Sequence, residues 1–463
     1  MEDVDMTRIT PHNVHETLAR HMLADGFDIV FDLDKSKGSY FYDLKTGRRF
    51  LDFFSFFASA PIGFNHPRLT TPAMIEKMGR LAVNKVTNSD LYTVEMAEFV
   101  DAFFRVAVPS YMIHSFYVSG GTLGVENALK AAMDWKVRKN LAKGYRREIG
   151  HQVIHFEQAF HGRSGYTLSL TNTADPNKHK NFAKFNWPRI VSPAIKFPLT
   201  EGHLEEVETL ERTAVRQIKT AFAENKDDIC AIIIEPIQGE GGDNHFRAEF
   251  LRELRTLASE NDAMLILDEV QTGIGLTGRM WAHQHFGFEP DMIAFGKKTQ
   301  VCGFLSGSRI DEIEENVFRV PSRINSTWGG NLLDMFRFKI YLDIIHEEKL
   351  VEHAARMGEF LLAELDSIAT DFPELVSNVR GRGLMCAIDL PDREHRDKLR
   401  RELYNNGVVM LGCGTHSARF RPPLNISEPE LSEGLDALRT SLTALATHTE
   451  SQNSRHLGVE KEI

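Results

Sequence analysis

Short apolar runs alternate with longer helical patterns along most of the chain. The runs 115–118, 152–156, 230–234, 263–267 and 292–295 are apolar and end in charged residues or glycines. Such runs are typical of buried strands in a parallel sheet. Helical periodicity follows the first run from residue 122 and returns over 205–224 and 332–347. The alternation predicts an α/β fold.

The two ends of the chain follow other patterns. Strand-like stretches surround the turn Lys45-Thr46-Gly47 within 39–53 and predict a hairpin, and 72–107 is mainly helical. Residues 350–445 predict a further α/β unit. The last stretch, 447–463, is polar and is expected to be frayed.

Composition narrows the class of protein. A chain of 463 residues with 42% hydrophobic content fills one large domain and a smaller one. The net charge is −11, and the one dense basic stretch, 136–143, is interpreted as a solvated helix face, so we expect no nucleic-acid partner. The four cysteines are widely spaced, which favours isolated thiols in a reducing compartment over disulfides or zinc. No apolar run approaches the roughly 20 residues of a membrane span, and the acidic N-terminus is unlike a signal peptide, so a cytoplasmic location is expected.

Two of the apolar runs each deliver a charged residue to their carboxyl end. Run 263–267 leads into Asp268, and run 292–295 leads into Gly296-Lys297-Lys298. Ligands of open α/β sheets bind outside the carboxyl ends of the strands. An acid and an amine in one crevice suit pyridoxal 5′-phosphate, whose aldehyde forms a Schiff base with lysine while a carboxylate keeps the pyridine nitrogen protonated. The alternative is a pair of ordinary strand-end charges.

A glycine turn precedes the first predicted long helix. The segment Ser119-Gly120-Gly121-Thr122 would present backbone N–H groups, a helix N-terminus and a hydroxyl to a phosphate. The alternative is a plain connection between strand and helix.

Two further segments carry candidate ligands at strand ends. Phe160 follows run 152–156 and can stack on a planar ring, and Arg163 can hold a carboxylate, although a core phenylalanine and a surface arginine are the simpler interpretation. Glu235 and Glu240 lie among glycines after run 230–234, as charge partners in a crevice or as solvated loop acids.

Taken together, these segments resemble the class III aminotransferases of PLP fold type I. The ordered set SGGT, ENALK, FHGR, EPIQGEG, LDEVQTG, DMIAFGKK, STWGGN, RGRGL and RFRPPL carries the resemblance from about residue 36 to 445. It implies a large domain with a mostly parallel seven-stranded sheet flanked by helices, and a smaller α/β domain built from both chain ends. The expected boundaries are 1–75 and 341–447 for the small domain and 76–340 for the large one, with a disordered tail at 448–463.

The same resemblance assigns the cofactor residues. It implies that Lys297, rather than Lys298, is the catalytic lysine and that Asp268 is the acid at the pyridine nitrogen. The further cofactor-binding positions are Gly121, Thr122, Phe160, Gln271 and Thr327. The last of these matches a phosphate ligand supplied by the partner subunit, which implies a homodimer with shared active sites. No metal is expected.

The resemblance also indicates the substrates. The stretches GGTLGVENALKAA, AFHGRSGYTLSLTNT and AFGKKTQVCG are most similar to members of the class that act on the ε-amine of L-lysine. The implied reaction transfers that amine to 2-oxoglutarate and gives 2-aminoadipate 6-semialdehyde and L-glutamate. The expected substrate-binding residues are Arg163 for a remote carboxylate, the pair Glu240 and Arg419, and the pocket residues Asn325 and Phe57.

Other functions remain open at this point. Relatives that act on ornithine have a tyrosine at the position of Phe57, and Leu123 replaces an acidic residue that is common in the class. Another donor, such as ornithine or 4-aminobutyrate, would need the same cofactor residues, and a non-catalytic sensor is a further alternative. A nicotinamide dehydrogenase is disfavoured because no GxGxxG segment opens a βαβ unit.

Overall fold

The computed structural model describes residues 8–459, with side chains described up to residue 447. The helices are α1 Val14–Ala19, α2 Ser55–Ala58, α3 Pro72–Val83, α4 Val94–Val106, α5 Gly121–Ala142, α6 Gly165–Leu170, α7 Glu201–Glu224, α8 Ala248–Glu260, α9 Leu332–Glu347, α10 Leu350–Asp371, α11 Arg393–Asn405 and α12 Glu428–Val459. The strands are β1 Tyr40–Tyr42, β2 Arg49–Asp52, β3 Met112–Val118, β4 Gln152–Phe156, β5 Arg189–Ile190, β6 Ile229–Ile234, β7 Ile237–Gln238, β8 Asn244–His245, β9 Met264–Asp268, β10 Met292–Phe295, β11 Cys302–Gly307, β12 Ser377–Arg382, β13 Met385–Asp389, β14 Val408–Val409, β15 Leu411–Cys413 and β16 Ser417–Phe420.

A seven-stranded sheet forms the centre of the molecule, with strand order β3-β11-β10-β9-β6-β4-β5. Strands β10, β9, β6, β4 and β5 pair in parallel, and β11 runs antiparallel to both β10 and β3. Helices cover both faces, which is why the strands are almost continuously apolar. The predicted α/β class and mostly parallel seven-stranded sheet are confirmed.

Side-chain alternation along β9 decides where its last residue points. Met264 and Ile266 pack in the core cluster with α5, whereas Leu265 and Leu267 pack in the cluster with α7 and α8. Because successive strand residues face opposite sides, Asp268 continues the α5 side. The side chain of Asp268 therefore lies on the face of the sheet where α5 begins.

The parallel registers bring several strand ends to one edge. Ala294 of β10 lies beside Asp268, and Ile234 of β6 lies beside Leu267. The residues that follow these strands, Lys297 and Glu235, consequently emerge next to Asp268 at the carboxyl edge of the sheet.

Helix α5 packs unusually close to β11. A Cβ atom at Gly124 would lie 2.6 Å from the carbonyl oxygen of Gly303, so this approach requires glycine. The turn before the helix contains Gly120 with φ +111°, a conformation that other residues rarely adopt. These two glycines hold the helix N-terminus against the carboxyl edge of the sheet.

The two ends of the chain meet in a second group of strands. β1 and β2 form the predicted hairpin, and β14 from the C-terminal half pairs in parallel with β2. A four-stranded antiparallel sheet, β12-β13-β16-β15, lies with α10, α11 and α12. The domain boundaries stay predictions. Helix α12 continues to Val459, through most of the stretch expected to be a disordered tail, and residues 460–463 lie outside the described residues.

The interpretation of 136–143 as a solvated helix face is right only for its exposed end, residues 141–143, and is wrong for Lys136 and Asn140. Lys136 is fully buried and donates from Nζ to the main-chain oxygen of Asp262 at 2.8 Å. Lys139 and Lys143 pair with the carboxylate of the same Asp262 at 2.6 and 3.0 Å. The end of α5 packs on the turn after α8, and burial lowers the pKa of Lys136.

The cysteines agree with the expectation of isolated thiols. Cys230, Cys302, Cys386 and Cys413 are all buried and unpaired. Among the helices of residues 8–459, none has the length and apolar character needed to span a bilayer.

Candidate active site

A cavity of about 370 Å³ opens at the carboxyl edge of the central sheet. Its lining comprises Gly121, Thr122, Phe160, His161, Gly162, Arg163, Glu235, Glu240, Asp268, Val270, Gln271 and Lys297. Most of the side chains predicted to bind cofactor or substrate are thus together in one place. His161, Gly162 and Val270 were not assigned a role from the sequence, and Glu235 was expected only as a charge partner or a solvated loop acid.

The two adjacent lysines face different surroundings. Lys297 lines the cavity, whereas Lys298 donates from Nζ to the main-chain oxygens of Gln271 at 2.6 Å and Ala58 at 3.4 Å. Burial lowers the pKa of Lys297, an effect that Asp268 opposes and Arg419 reinforces. Lys297 is also strained, with φ +53°, a conformation that costs about 1–2 kcal/mol for a residue with a side chain. Of the two lysines, only Lys297 lines the cavity, as the resemblance implied.

Asp268 is fixed by a buried histidine. His161 lies 2.8 Å from the carboxylate through Nδ1, which is the donor because the carboxylate can only accept, and the main-chain N–H of Val270 donates to the other oxygen at 3.1 Å. His161 Nε2 is buried without a partner among the described residues. Its position inside the segment Phe160-His161-Gly162-Arg163 is the one sequence signal that points to it.

Glu235 organises the loops around the cavity. Its two oxygens accept from the main-chain N–H groups of Phe160 at 2.9 Å and Gly239 at 3.0 Å. Burial raises the pKa of Glu235 to about 7, and the nearby charge of Asp268 adds to the rise. The carboxylate thereby ties the loop after β4 to the loop after β6.

The first turn of α5 forms one wall of the cavity. The N–H groups of Gly121 and Thr122 have no acceptor within the helix, and the helix dipole is positive at this end. The Thr122 hydroxyl is held by Ser164 at 2.8 Å and Thr167 at 2.7 Å. A Cβ atom at Gly162 would lie 2.1 Å from Thr122 Oγ1, so the opposing loop needs glycine here. The arrangement suits a bound phosphate.

Gln271 and Arg163 complete the lining in different ways. Gln271 accepts from Arg421 Nε at 3.0 Å, and Arg421 is itself buried against Asp243. Arg163 is exposed, its Cζ lies 5.9 Å from the centroid of the Phe160 ring, and its guanidinium pairs with no carboxylate in the described part of the chain. Gln271 is held in place, whereas Arg163 is free to bind an anion.

A second cavity of about 460 Å³ adjoins the first through Glu240. It is lined by Phe57, Ala174, Asp175, Lys178, Glu240, Pro391, Asp392, Arg393, Arg396, Arg400, Leu411, Gly412, Cys413, Gly414, Thr415, His416 and Arg419. Glu240 Oε2 lies 3.0 Å from Arg419 Nη2, so the expected ion pair is present. Burial opposes ionisation of Glu240, but Arg419 and Lys178 hold its pKa below the usual value.

Four of the expected site residues lie outside the first cavity, among them Arg419, which lines the second one. Phe57 is 54% exposed, and the four residues of α2 all have positive φ, so the segment is a left-handed turn at the second cavity. Asn325 and Thr327 are exposed on the loop before α9 and line neither cavity. This loop is held against residues 88 and 89, since Trp328 accepts from the Asn88 N–H at 3.2 Å.

The sequence profile described as "Aminotransferase class-III" matches residues 23–442. The chain belongs to the class III aminotransferase family.

Similar members of the family are known from several bacteria. The L-lysine-epsilon aminotransferase of Mycobacterium tuberculosis is 51% identical over 434 residues, which cover 94% of this chain and 96% of that protein. The enzyme of the same name from Streptomyces clavuligerus is 49% identical over 445 residues, with 96% of each chain covered. A solved structure of lysine aminotransferase from M. tuberculosis in the internal aldimine form superposes with a TM-score of 0.92, at 51% identity, covering 94% of this chain and 100% of that one.

The cofactor of this class III aminotransferase is pyridoxal 5′-phosphate, and the cavity fits it. Asp268 supplies an acceptor for a protonated pyridine nitrogen, and Lys297 supplies an amine without a hydrogen-bonding partner among the described residues. Gly121 and Thr122 would hold the phosphate, and Phe160 would pack on the ring. This donor set suits a planar, anionic aldehyde.

Proposed function

We propose that this aminotransferase moves the ε-amino group of L-lysine to 2-oxoglutarate, which gives 2-aminoadipate 6-semialdehyde, expected to cyclise, and L-glutamate. The similarity to enzymes named for lysine supports the donor. The observation that carries the proposal is that one of two arginines at the site is paired with a carboxylate and the other is not. Arg163 is free at the first cavity, while Arg419 is paired with Glu240 at the junction of the two cavities.

This pairing matches the charges of the two substrates. L-lysine that enters with its ε-amine first brings one carboxylate, far from the reacting carbon, whereas 2-oxoglutarate brings two. Arg163 would hold the remote carboxylate of each substrate. Glu240 would neutralise Arg419 while lysine is bound and release it for the α-carboxylate of 2-oxoglutarate. Leaving a buried arginine without a partner costs several kcal/mol. A counter-ion that can move away is therefore needed when only one of the two substrates brings a carboxylate for Arg419.

Lys297 would carry out the proton transfer. When bound, pyridoxal 5′-phosphate supplies an electron-accepting ring that makes the C–H bond beside the amine nitrogen acidic. The lowered pKa of Lys297 leaves more of its amine unprotonated near neutral pH, as a general base requires. Its Nζ would accept the proton from the ε-carbon of lysine and return it elsewhere in the same site. Asp268, fixed by His161, would keep the negative charge that the protonated ring needs.

We also propose a homodimer in which Thr327 of one subunit reaches the phosphate site of the other. Thr327 is exposed and lines no cavity of its own chain. Large apolar side chains near the loop that holds it are exposed as well, including Leu91 at 65%, Tyr92 at 78% and Trp328 at 39%. Such a patch is typical of a subunit interface. A cytoplasmic location is proposed because the four cysteines are free.

Single-turnover spectroscopy tests the proposed donor. The purified enzyme is mixed with L-lysine, L-ornithine or 4-aminobutyrate without an acceptor, and the cofactor absorbance is followed. Bleaching by lysine much faster than by the other amines is expected. Faster bleaching by another amine would replace the donor and leave the chemistry, and an enzyme without cofactor absorbance would contradict the proposal as a whole.

The roles of Glu240 and Arg419 are tested by measuring the two half-reactions separately. Glu240→Ala leaves Arg419 without its counter-ion, so the lysine half-reaction should slow by about tenfold or more, in line with the cost of leaving a buried charge unpaired. The half-reaction with 2-oxoglutarate should change less, because its α-carboxylate replaces the missing partner. Equal losses in both would contradict this assignment.

A further inference from the structure

The carboxylate of Glu240 is shared between two cations, and only one of them was expected. Oε2 lies 3.0 Å from Arg419 Nη2, and Oε1 accepts a short hydrogen bond from Lys178 Nζ. Lys178 ends the short 3-10 turn Pro176–Lys178, in which Asp175 caps the N-terminus by accepting from Asn177 N–H at 3.1 Å. The side chains of Lys178 and Glu240 are 20% and 21% exposed, so both ends of this pair are largely shielded from water.

Arg419 keeps capacity for a further anion. It is 3% exposed, and its Nε and Nη1 atoms are buried without an acceptor in the described part of the chain. Burying such donors without partners is costly, so they favour binding of a further anion such as a carboxylate. Arg419 therefore contacts Glu240 through Nη2 and keeps two donors for a further ligand.

We propose that Lys178 is the positioning residue that retains Glu240 when Arg419 binds the second carboxylate of a dicarboxylate substrate. This inference rests on the proposed function. Without Lys178, departure of Glu240 from Arg419 would leave a largely buried carboxylate uncompensated. Because Lys178 already binds Oε1, Glu240 can release Arg419 by losing only the contact through Oε2.

Lys178 consequently sets the preference for a dicarboxylate acceptor. Removing it leaves Arg419 as the main counter-ion of Glu240, which strengthens that pair and makes Arg419 harder to release. Binding of 2-oxoglutarate should weaken, whereas binding of lysine, which needs Arg419 neutralised, should not. A purely structural role for Lys178 would affect both substrates alike.

The test compares Lys178→Met, which keeps the length of the side chain, with Lys178→Arg, which keeps the charge, in the purified enzyme with its cofactor. For Lys178→Met, the 2-oxoglutarate concentration that gives the half-maximal rate of the second half-reaction should rise about tenfold, in keeping with the coupling of close charge pairs. The corresponding value for L-lysine should stay within about twofold. Lys178→Arg should restore most of the loss, and Lys180→Met, at an exposed neighbour, serves as the matched control.

Binding without turnover gives a second readout. Calorimetric titration with glutarate, a dicarboxylate that lacks the reacting carbonyl, should show about tenfold weaker binding to Lys178→Met, while butyrate, a monocarboxylate, should bind as before. This assay uses no amine donor. It can therefore judge Lys178 even if L-lysine fails as the substrate in single-turnover spectroscopy.

A double-mutant cycle that combines Lys178→Met with Glu240→Gln isolates the contact between Lys178 and Glu240. Once the charge of Glu240 is removed, the substitution Lys178→Met should have no further effect on glutarate binding. Additive effects of the two substitutions would overturn the inference, and so would equal losses for lysine and 2-oxoglutarate.

Discussion

The two cavities that meet at Glu240 are built from different parts of the fold. The first lies at the ends of parallel strands, where register and side-chain alternation fix Asp268, Glu235 and the approach to Lys297. The second is lined by helix α11, by strands β15 and β16 and by neighbouring loops, and it is rich in long charged side chains, among them Lys178, Arg393 and Arg419. In the first cavity, hydrogen bonds hold Asp268, Glu235 and Thr122, whereas at the second the carboxylate of Glu240 is shared between Arg419 and Lys178. Under the proposed function, the fixed groups would hold the one cofactor, and the shared carboxylate would adapt the site to two different substrates.

Substitution of the two adjacent lysines, Lys297 and Lys298, should give the largest difference in rate. Lys297→Ala should slow the amine half-reaction by at least about 10²–10⁴-fold, because the proposed Schiff-base lysine and proton carrier is lost. Lys298→Met should instead lower the melting temperature, because its buried amine holds two main-chain oxygens. Single-turnover absorbance and thermal unfolding of both variants check the assignment, and a comparable rate loss in Lys298→Met would contradict it.

Removal of His161 tests the rigidity of the first cavity. His161→Ala leaves the Asp268 carboxylate with one hydrogen-bond donor fewer, and a hydrogen bond to a charged group contributes about 1.5–3 kcal/mol, or roughly tenfold to 150-fold in rate. Both half-reactions should slow to the same extent, because in the proposed function Asp268 would act on the cofactor rather than on either substrate. Rates of the two half-reactions are the measurement, and a loss confined to one substrate would show that His161 acts elsewhere.

Arg163 and Arg393 offer a comparison of arginines across the two cavities. Arg163→Ala should raise the KM for both L-lysine and 2-oxoglutarate by about tenfold, since it would hold a carboxylate of each. Arg393 is exposed and pairs with Asp397 at 3.7 Å, so Arg393→Ala should change either KM by less than about twofold. Steady-state kinetics with each substrate varied in turn separate the two, and an unchanged KM in Arg163→Ala would remove it from the substrate site.

The sequence predicts the first cavity better than the second for a physical reason. Asp268 and Lys297 follow apolar runs whose length and composition predict buried parallel strands, and the carboxyl edge of such a sheet brings their side chains together. His161 lies 107 positions from Asp268 in the sequence, so no local pattern predicts the contact between them. The same holds for Lys178, whose loop has no regular periodicity.

The errors and omissions concern residues whose environment is set by tertiary contacts. Lys136 lies in a helix that looks polar in sequence, yet its amine is buried because the turn at Asp262 supplies an acceptor. Phe57 lies in a left-handed turn that contains no glycine, so the usual sequence signal for positive φ is missing. For Lys136, a partner distant in sequence outweighs the local preference.

That left-handed turn is supported by Asp52, which gives the smallest expected effect. The carboxylate is buried at the end of β2, where Oδ1 accepts from the N–H groups of Phe54 at 2.9 Å and Ser55 at 2.7 Å, while Oδ2 has no partner among the described residues. Burial raises the pKa of Asp52 from its ordinary 3.8 to about 7. Between these two pH values the folded chain holds a proton that the unfolded chain has released, so this residue makes the fold less stable as pH rises through that window.

Asp52→Asn has no charge to bury at any pH and keeps an acceptor for both N–H groups. Relative to the unsubstituted enzyme it should therefore gain stability between pH 5 and pH 8, by about 1–3 kcal/mol, seen as a growing difference in Tm. Asp43→Asn is the matched control. Although burial works against the charge of Asp43, its bonds to Thr46, Val30 and Lys45 hold the pKa of that carboxyl below 3.8, so its stabilising charge is complete throughout this range. The control should lose stability equally at both pH values. If the Tm difference between Asp52→Asn and the unsubstituted enzyme does not change with pH, Asp52 is not protonated in the folded protein and does not support the turn at the second cavity in this way.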